Sequence, residues 1–401
     1  MKIKYRLFNS LSTLVLTLFI IEGLLRVILA IRVSPDLILY GTPYQITNLS
    51  KDWQGGISEE EYFNQRHNVA YHDNDQENYS KYHPHEQLKE TSKDGILFDV
   101  RINNHGFRGA DYEWTKPPGV LRVACLGDSS TFGYGDRDDE TYPAYLEVFL
   151  NARLQELEED AFQRVEVFNF GVPHMLAENM YHIFVKEVLP LSPDVVTLYA
   201  GMFDAAKEVD NFDRQSAVRG DVPKRLRRER RRLLMERATG KFLFLRLIDS
   251  YVPLNKAPGF DRIFYEKYLE KDPGKEYVMW LGRIRAECRR RGIAFYVLTQ
   301  QSQSNMLEED EIEGVTFAEE VRAVQAKLKR RKVTRHEMYF LAHNHYDHRM
   351  RMWASEQGVT LLDARAALDA YRHYLWHWVH IIPEGNQILA ETIGRQILED
   401  F

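Results

Sequence analysis

The chain is poor in cysteine, with Cys125 and Cys288 as the two cysteines among 401 residues. Two cysteines exclude a disulfide framework. Because Cys125 lies in an apolar run and Cys288 in a charged helical stretch, we predict two free thiols, with a single bridge as the alternative. A strong excess of charge of one sign is also missing, since the formal net charge is −6. This balance gives no general case for nucleic-acid binding.

What remains is an ordinary globular composition, 44% hydrophobic and 28% charged, which excludes a disordered protein. At roughly 150 residues per domain, the length fits one large elaborated domain or two smaller ones. No internal repeat is evident in the sequence.

One long uncharged hydrophobic run stands near the N-terminus, at Leu7–Ile21, and the apolar stretch continues to Ile31. It reaches the roughly 20 residues that a membrane-spanning helix needs, and basic residues precede it. Because positive charge favours the cytoplasmic side, we predict a single-pass anchor over 1–32 in the inner (cytoplasmic) membrane. The rest of the chain would then lie on the periplasmic or extracellular side.

Glu22 and Arg26 interrupt this stretch at i,i+4 spacing. They can pair on one helix face or lie near the interface, where a charge costs less. A cleavable signal peptide is the alternative to an anchor. We favour the anchor because no small-x-small cleavage site is evident around Ala30.

The segment 33–118 is polar and irregular, and we interpret it as an N-terminal extension that contains one compact motif, Arg101–Gly109 (RINNHGFRG). From 119 to 401, short apolar runs alternate with segments of helical periodicity. The predicted strands are Val120–Leu126, Val165–Phe170, Asp194–Tyr199, Ala294–Thr299 and Val359–Leu362. The predicted helices include Pro143–Leu157, Met175–Val188 and Gly385–Leu398. This alternation predicts an α/β fold with a mainly parallel sheet, helices on both faces, and functional loops at the carboxyl ends of the strands.

A long connection, about 205–291, separates the third and fourth predicted strands, and we interpret it as a helical insert. It contains the basic run Lys224–Arg232. A solvated helix face is the favoured interpretation of this run. Contact with anionic lipid headgroups or an acidic polysaccharide is the alternative.

The strongest chemical signal is Leu126–Gly135 (LGDSSTFGYG), directly after the first predicted strand. A serine on a tight glycine-containing turn at a strand end is exposed, and backbone N–H groups of the turn point to where an oxyanion would form. Ser129 is therefore the candidate nucleophile. A base must come from another loop, and His380 stands in Trp376–Asn386, just before the last predicted helix. By itself, a histidine in an aromatic segment is more often structural than catalytic.

Four ordered blocks resemble the SGNH (GDSL) hydrolase family. They are Gly127–Thr131 (GDSST), Asn169–Pro173, Gly201–Asp204 and the segment around His380. The Arg101–Gly109 motif and the predicted N-terminal anchor also resemble membrane-attached bacterial members of that family. The resemblance implies a flavodoxin-like three-layer α/β/α sandwich.

The resemblance also implies that Ser129 is the nucleophile and that His380 takes its proton and later activates the attacking water. Three positions depart from the family pattern. His377 replaces the acid that usually orients the base, His174 the usual oxyanion glycine, and Phe203 the usual asparagine. The backbone N–H of His174 survives, but Phe203 has no side-chain donor, and losing one oxyanion donor costs ~2.7–4 kcal/mol of transition-state stabilisation.

Other groups are candidates for the missing oxyanion and orienting roles. We consider Gly171 in the second block and His377 beside the base. Asn104, with its neighbours Asn103 and Arg108, could supply replacement donors from ahead of the first strand.

Four further residues receive structural interpretations. We expect Asp204 to cap the following helix and Asp128 to tie its own turn together. For Trp376 and Trp378, core packing is favoured, and stacking on a sugar or acyl chain is the alternative.

His343–His348 (HNHYDH) has the H-x-H-x-D-H spelling of binuclear metal hydrolases. Here it falls within a predicted helix, Met338–Gln357. On a helix, His343 and Asp347 share a face while His345 points elsewhere. We therefore favour an exposed polar helix face over a metal site, and we predict no cofactor.

The residues and the resemblance together predict a membrane-anchored serine esterase or O-acyltransferase. It would act through an acyl–Ser129 intermediate on an acylated carbohydrate or lipid of the cell envelope. The alternative is a catalytically impaired protein of the same fold that binds envelope glycans or partner proteins. The three departures favour this alternative, and the retained Ser129 and His380 favour the enzyme. The sequence predicts no oligomeric state.

Overall fold

The computed structural model describes residues 13, 16–27, 72–74, 79–93, 95–157, 162–218, 259–307 and 311–401. The chain separates into two compact units. The larger unit, which we call the core domain, comprises Val69–Lys93, Phe98–Arg214 and Pro258–Phe401. The smaller unit comprises Met1–Asn68, Asp94–Leu97 and Gln215–Ala257.

Four short strands precede the main sheet and form two two-stranded sheets. They are β1 (His72–Asn74) with β2 (Tyr79–Lys81), and β3 (Gln87–Thr91) with β4 (Leu97–Arg101). The expectation of an irregular extension is therefore wrong for the described part of 33–118. Strands that bury one face do not produce a continuous apolar run, and Val100 is the one fully buried residue of β4.

The main sheet has five strands, all parallel to their neighbours, in the order β6-β5-β7-β8-β9. They are β5 (Val120–Gly127), β6 (Arg164–Gly171), β7 (Val195–Tyr199), β8 (Ala294–Leu298) and β9 (Thr360–Leu362). All five predicted strands are confirmed to within one residue at each end. The register aligns Gly127 with Gly171 on one side and with Tyr199 on the other, so three strands end level at one edge of the sheet.

The helices lie on both faces of this sheet. They are α1 (Ser129–Phe132), α2 (Tyr142–Leu157), α3 (Ala177–Ile183), α4 (Met202–Val218), α5 (Arg262–Leu269), α6 (Lys275–Arg291), α7 (Phe317–Arg330), α8 (Arg335–Gln357), α9 (Ala364–Leu368) and α10 (Pro383–Asp400). Alternate residues of β5 enter different cores: Val123 packs with α2, α9 and α10, whereas Ala124 packs with α3, α6 and α8. The predicted three-layer α/β/α sandwich is confirmed.

Two predicted helical segments need correction or extension. The helix expected over Met175–Val188 is instead α3 followed by a π-helical turn, Phe184–Val188, and a 3₁₀ turn, Leu189–Leu191. In the insert predicted at about 205–291, the described residues form the end of α4, then α5 and α6. The basic run Lys224–Arg232 lies outside the described residues.

Both cysteines are free and buried, as predicted. Burial raises the pKa of each thiol to about 12, so neither is a reactive thiolate at neutral pH.

Near the N-terminus, residues 16–27 are helical, and Arg26 Nε donates to Glu22 Oε1 at 2.8 Å. Within the part of the chain that the structure describes, no helix has both the length and the apolarity needed to cross a bilayer. Most of the predicted anchor, 1–32, lies outside the described residues, so the anchor stays a prediction.

Candidate active site

The turn between β5 and α1 presents a serine at the level edge of the sheet. Asp128 is the N-cap of α1, and its Oδ1 accepts the backbone N–H of Ser130 at 2.9 Å. This confirms that Asp128 ties its own turn together. Ser129 is the first residue of α1 and is half-buried, whereas Ser130 is buried. The N–H groups of Ser130, Thr131 and Phe132 all donate to Asp128. Among the described residues of this turn, the Ser129 N–H is the backbone donor left to bind an oxyanion.

Gly171, at the end of β6, lies against the backbone of α1. A Cβ there would stand 2.1 Å from Phe132 N and 2.5 Å from the carbonyl carbon of Thr131. Its N–H donates to Asn169 Oδ1 at 2.9 Å. The proposed oxyanion role of Gly171 is therefore not supported: its amide is already bonded, and the absence of a side chain lets β6 pack on the nucleophile turn.

Gly171→Ala is expected to destabilise the core domain by at least about 2–3 kcal/mol, because the new methyl group meets backbone atoms that cannot rotate away. The matched control is Gly282→Ala in α6, where a Cβ would meet no atom closer than 3.9 Å. That change should leave stability unchanged or raise it by up to about 1 kcal/mol. Thermal melts of both proteins check this, and equal melting temperatures would refute the packing role of Gly171.

His380 reaches the serine from a loop that precedes α10. Its Nε2 lies 2.8 Å from Ser129 Oγ, although the two residues are 251 positions apart. The loop is held by a bridge between Leu375 and Ile381 and by a bond from Trp376 N to His380 O at 3.2 Å. His380 is 3% exposed. The serine and the imidazole thus stand at the distance that proton transfer requires.

A second histidine contacts the base where an acid would normally stand. His377 Nδ1 lies 3.1 Å from His380 Nδ1. If His380 Nε2 is to accept the proton of Ser129, its Nδ1 must carry hydrogen. That N–H then donates to His377 Nδ1, which must be the unprotonated nitrogen of a neutral ring. The geometry therefore forms a Ser–His–His chain in which His377 selects the reactive tautomer of His380.

Burial keeps both rings neutral. It lowers the pKa of His377 from 6.5 to about 4. The pKa of His380 is well below 6.5, mainly through burial and further through His377 and His174. A neutral His380 is the form that accepts a proton, so the base is ready at neutral pH.

The acid limb of the pH–rate profile is expected to lie below 6.5, the ordinary pKa of a histidine. A base works only when unprotonated, so activity is lost as pH falls through its pKa. Because the pKa of His380 is lowered, this loss should begin at more acidic pH than for an exposed histidine. Initial rates with an activated acetyl ester over a range of pH measure the limb. A midpoint at or above 6.5 would contradict a buried, neutral base.

The two remaining unusual residues, His174 and Phe203, contact each other. His174 has a left-handed backbone, with φ of 64°, a region that favours glycine. Its ring lies 5.0 Å from the ring of Phe203, and its charged form would disfavour charge on His380. The structure thus brings Ser129, His380, His377 and His174 into one site.

A family model described as the GDSL-like lipase/acylhydrolase family matches residues 125–388. The match includes Ser129, His377 and His380. The chain belongs to this family. It is therefore a hydrolase of the class that acts on ester bonds, as predicted from the sequence. No curated protein matches the chain.

Solved structures with a similar fold share little sequence with it. A mutant of Axe2, an acetyl-xylooligosaccharide esterase from Geobacillus stearothermophilus, is 16% identical, covering 69% of this chain and 94% of that one with a TM-score of 0.39. A lipase/acylhydrolase from Enterococcus faecalis is 15% identical, covering 70% and 96% with a TM-score of 0.36. LAE5, an α/β hydrolase from the metagenome of Lake Arreo, Spain, is 17% identical, covering 70% and 95% with a TM-score of 0.34.

Asn104 does not lie in this GDSL site as an available donor. Its Nδ2 donates to Tyr112 O at 3.1 Å, and its Oδ1 accepts from Tyr112 N at 3.2 Å. Asn103 Oδ1 accepts the N–H groups of His105 and Phe107. These bonds close the loop of the Asn-Asn-His-Gly-Phe motif. The Asn104 amide is held by Tyr112 at both ends, so its proposed oxyanion role is wrong.

Arg108, from the same motif, stabilises the nucleophile turn by hydrogen bonds to its backbone carbonyls. Its guanidinium donates to the carbonyls of Phe132 at 3.1 Å, Gly133 at 2.6 Å and Asp136 at 2.5 Å, and its Nε to Asp138 at 3.0 Å. It is therefore not an oxyanion donor. The one signal of this role in the sequence is the compactness of the motif at Arg101–Gly109.

Asp204 serves a neighbouring helix instead of its own. Its Oδ1 accepts the N–H of Ala177, the first residue of α3, at 3.1 Å. The prediction that Asp204 caps the helix following it is therefore wrong. Burial raises its pKa to about 7.

The two tryptophans lie beside the catalytic loop. The Trp376 ring stacks on His377, with ring centres 3.7 Å apart, and covers Gly135, where a Cβ would come within 2.2 Å of it. Trp378 contacts the rings of Tyr339 and His336. Both are half-buried, so packing accounts for one face of each ring.

The HNHYDH segment lies in α8, which confirms the predicted helix, but its face is not exposed. His343 and Asp347 are 2% and 7% exposed. His343 Nδ1 bonds Ser302 Oγ at 2.8 Å, and Asp347 pairs with Arg365 at 2.9 Å. The interpretation as a solvated face is wrong for these two residues, which join α8 to the loops around it.

Proposed function

We propose that the chain is a membrane-tethered serine esterase or O-acyltransferase that acts on an acylated polysaccharide or lipid of the cell envelope. The observation that carries the proposal is the 2.8 Å contact between Ser129 Oγ and His380 Nε2. The family assignment supports ester chemistry, and the uncharged N-terminal run supports the tether.

The reaction follows from the positions of the protons. Ser129 Oγ attacks the ester carbonyl while its proton moves to His380 Nε2. The resulting imidazolium donates its Nδ1–H to the neutral His377 ring, which stabilises it less than a carboxylate would. The backbone N–H of Ser129 stabilises the oxyanion. His380 then gives the proton to the leaving alcohol. In the second half, His380 takes a proton from water or an acceptor hydroxyl as its oxygen attacks the acyl carbonyl, and returns that proton to Ser129 Oγ as the acyl–Ser129 bond breaks.

The rim of the site supports a carbohydrate ester as the substrate. Aromatic rings lie beside the base: Tyr134 stacks on His380 at 4.7 Å between ring centres, and Trp376 stacks on Tyr134 at 5.9 Å. Phe203 and His174 contribute a second pair of rings, 5.0 Å apart. Aromatic faces suit the apolar faces of sugar rings and acyl chains.

The test uses the full chain in detergent and a fluorophosphonate probe, which reacts with activated serines. Labelling of the parent should be followed by release of acetate from acetylated glycans or of fatty acid from lipid esters. Release to water without any acceptor indicates an esterase; product only with an added carbohydrate indicates a transferase. A folded parent protein that neither reacts with the probe nor cleaves any of these esters would contradict the proposed function.

A second function is favoured by the departures at His174 and Phe203: glycan binding without catalysis. These two residues stand at the sequence positions where the family usually has an oxyanion glycine and an asparagine. Calorimetry with deacylated envelope glycans distinguishes the two functions, because tight binding by an unreactive protein supports the binder alone.

A further inference from the structure

The loop that follows β8 connects both halves of the catalytic pair. We define it as residues 299–304 (TQQSQS) and call it the glutamine loop. It lies at the same edge of the sheet as the nucleophile turn, because β8 is parallel to β7 and β7 to β5. Five of its six residues are at most 1% exposed, namely Thr299, Gln300, Gln301, Ser302 and Ser304.

Gln300 bonds the nucleophile turn. Its Nε2 donates to Asp128 Oδ2 at 3.1 Å and to Ser130 Oγ at 3.0 Å. These two residues flank Ser129 in the sequence. Its Oε1 accepts the N–H of Met202 at 2.8 Å. One buried amide therefore joins the turn after β5 to the turn after β7.

The loop of the catalytic histidine is bonded at three consecutive carbonyls. Gln303 Nε2 donates to His377 O at 3.0 Å, and Gln303 N donates to Trp378 O at 2.8 Å. Ser130 Oγ donates to Val379 O at 3.4 Å. Because Ser130 Oγ also accepts from Gln300, the glutamine loop reaches the residues before His380 by two routes.

The glutamine loop is itself held firmly. Thr299 N donates to Leu362 O at 3.2 Å in the adjoining strand. The Arg365 guanidinium donates to Gln300 O at 3.1 Å, and that of Arg372 to Ser302 O at 2.9 Å. Bonds from a rigid segment transmit position, because the segment cannot move to accommodate a displaced partner.

We propose that Gln300 and Gln303 are positioning residues that set the separation and alignment of Ser129 and His380. The inference rests on the proposed Ser–His function. Neither amide touches the reacting atoms; Gln300 acts through the nucleophile turn and Gln303 through the His377–His380 backbone. Displacing a catalytic group by about 1 Å can cost about 100-fold in rate.

The test compares three matched variants of the full chain: Gln300→Leu, Gln303→Leu and the control Gln301→Leu. Gln301 belongs to the same loop and is as buried as Gln300. Its Nε2 bonds none of the described residues, and its Oε1 accepts from Ser302 N within the loop. We expect Gln300→Leu and Gln303→Leu to lower kcat on an activated ester by about 10–100-fold at unchanged KM. Gln301→Leu should stay within about 2-fold of the parent.

A second comparison separates positioning from general damage. In a His380→Ala background, Gln303→Leu should change the residual rate by less than about 2-fold, because its effect passes through His380. A structural defect would lower the residual rate in both backgrounds. The fraction of reactive serine, titrated with the fluorophosphonate probe, corrects kcat for unfolded protein.

A measurement that requires no catalysis tests the positioning role independently of the proposed esterase function. In protein carrying ¹⁵N-histidine, the His380 ring signals report its hydrogen bonds at Nε2 and Nδ1. They should shift in Gln300→Leu and Gln303→Leu and not in Gln301→Leu. A parent that does not react with the probe overturns the proposed function alone. Unchanged ring signals, or equal kcat in all three variants, overturn the positioning role.

Discussion

Replacing Ser129 or His380 by alanine is expected to lower kcat by at least about 1,000-fold. The two side chains act as one unit, since Ser129 Oγ lies 2.8 Å from the nitrogen that takes its proton. Without either side chain no activated serine can form. Residues that act as a unit lower kcat by similar factors whether they are removed singly or together. The measurement is ester hydrolysis by both single variants and the double variant.

Two exposed residues provide matched controls for these changes. Ser355→Ala and His348→Ala replace the same residue types on the outer surface of α8, and both proteins should hydrolyse esters like the parent. A double variant that is much slower than either single variant would show that Ser129 and His380 act independently. A Ser129→Ala protein with parental activity would exclude the acyl-serine route.

Replacing His377 by leucine is expected to lower kcat by about 10–100-fold. Leucine cannot accept the Nδ1–H of His380, so the tautomer with hydrogen on Nε2 becomes populated, and that tautomer cannot take the serine proton. The buried N–H also loses its partner, which disfavours the reactive form further. The rates of His377→Leu and the parent, measured under saturating ester, check this.

His377→Asp tests the same contact by strengthening the interaction of residue 377 with the charged form of His380. A carboxylate beside His380 favours its charged form and raises its pKa. The acid limb of activity should therefore move to higher pH than in the parent, and kcat should rise or stay equal. An unmoved acid limb in His377→Asp, together with parental kcat in His377→Leu, would show that residue 377 does not act on the base.

His377 is the third residue of the Ser129–His380–His377 chain, and its buried surroundings favour a neutral ring over a carboxylate. His377 is stacked under Trp376, and a lone buried carboxylate would carry a desolvation cost that neutral rings avoid. Two buried carboxyl groups already stand near the site, and burial raises the pKa of Asp128 to about 6 and that of Asp204 to about 7. The consequence is a base that is ready at low pH but is stabilised less when it becomes charged.

The sheet and the nucleophile were predictable because their signals are local. A strand buried on both faces is a continuous apolar run, so Val120–Gly127 and its neighbours are visible in the sequence. A serine after such a strand is visible for the same reason, and so is a histidine just before the last helix. Short one-sided strands such as β3 and β4 carry no comparable pattern, and they were missed.

The contacts of individual polar side chains were less predictable. Asp204 bonds α3 instead of its own helix, and Arg108 holds carbonyls of the nucleophile turn instead of an oxyanion. In both cases the partner is distant in sequence. A residue type shows which bonds are possible, but the packing of the chain selects among many partners of similar chemistry.

The amino-acid order alone thus established an α/β domain with Ser129 and His380 at strand and helix ends, because periodicity and turn chemistry act over a few residues. The tertiary structure established what surrounds that pair. It set the pairing of His377 with His380, the burial that keeps both neutral, and the glutamine loop that bonds both halves of the site. These features depend on distances between segments far apart in the chain, which no local pattern specifies.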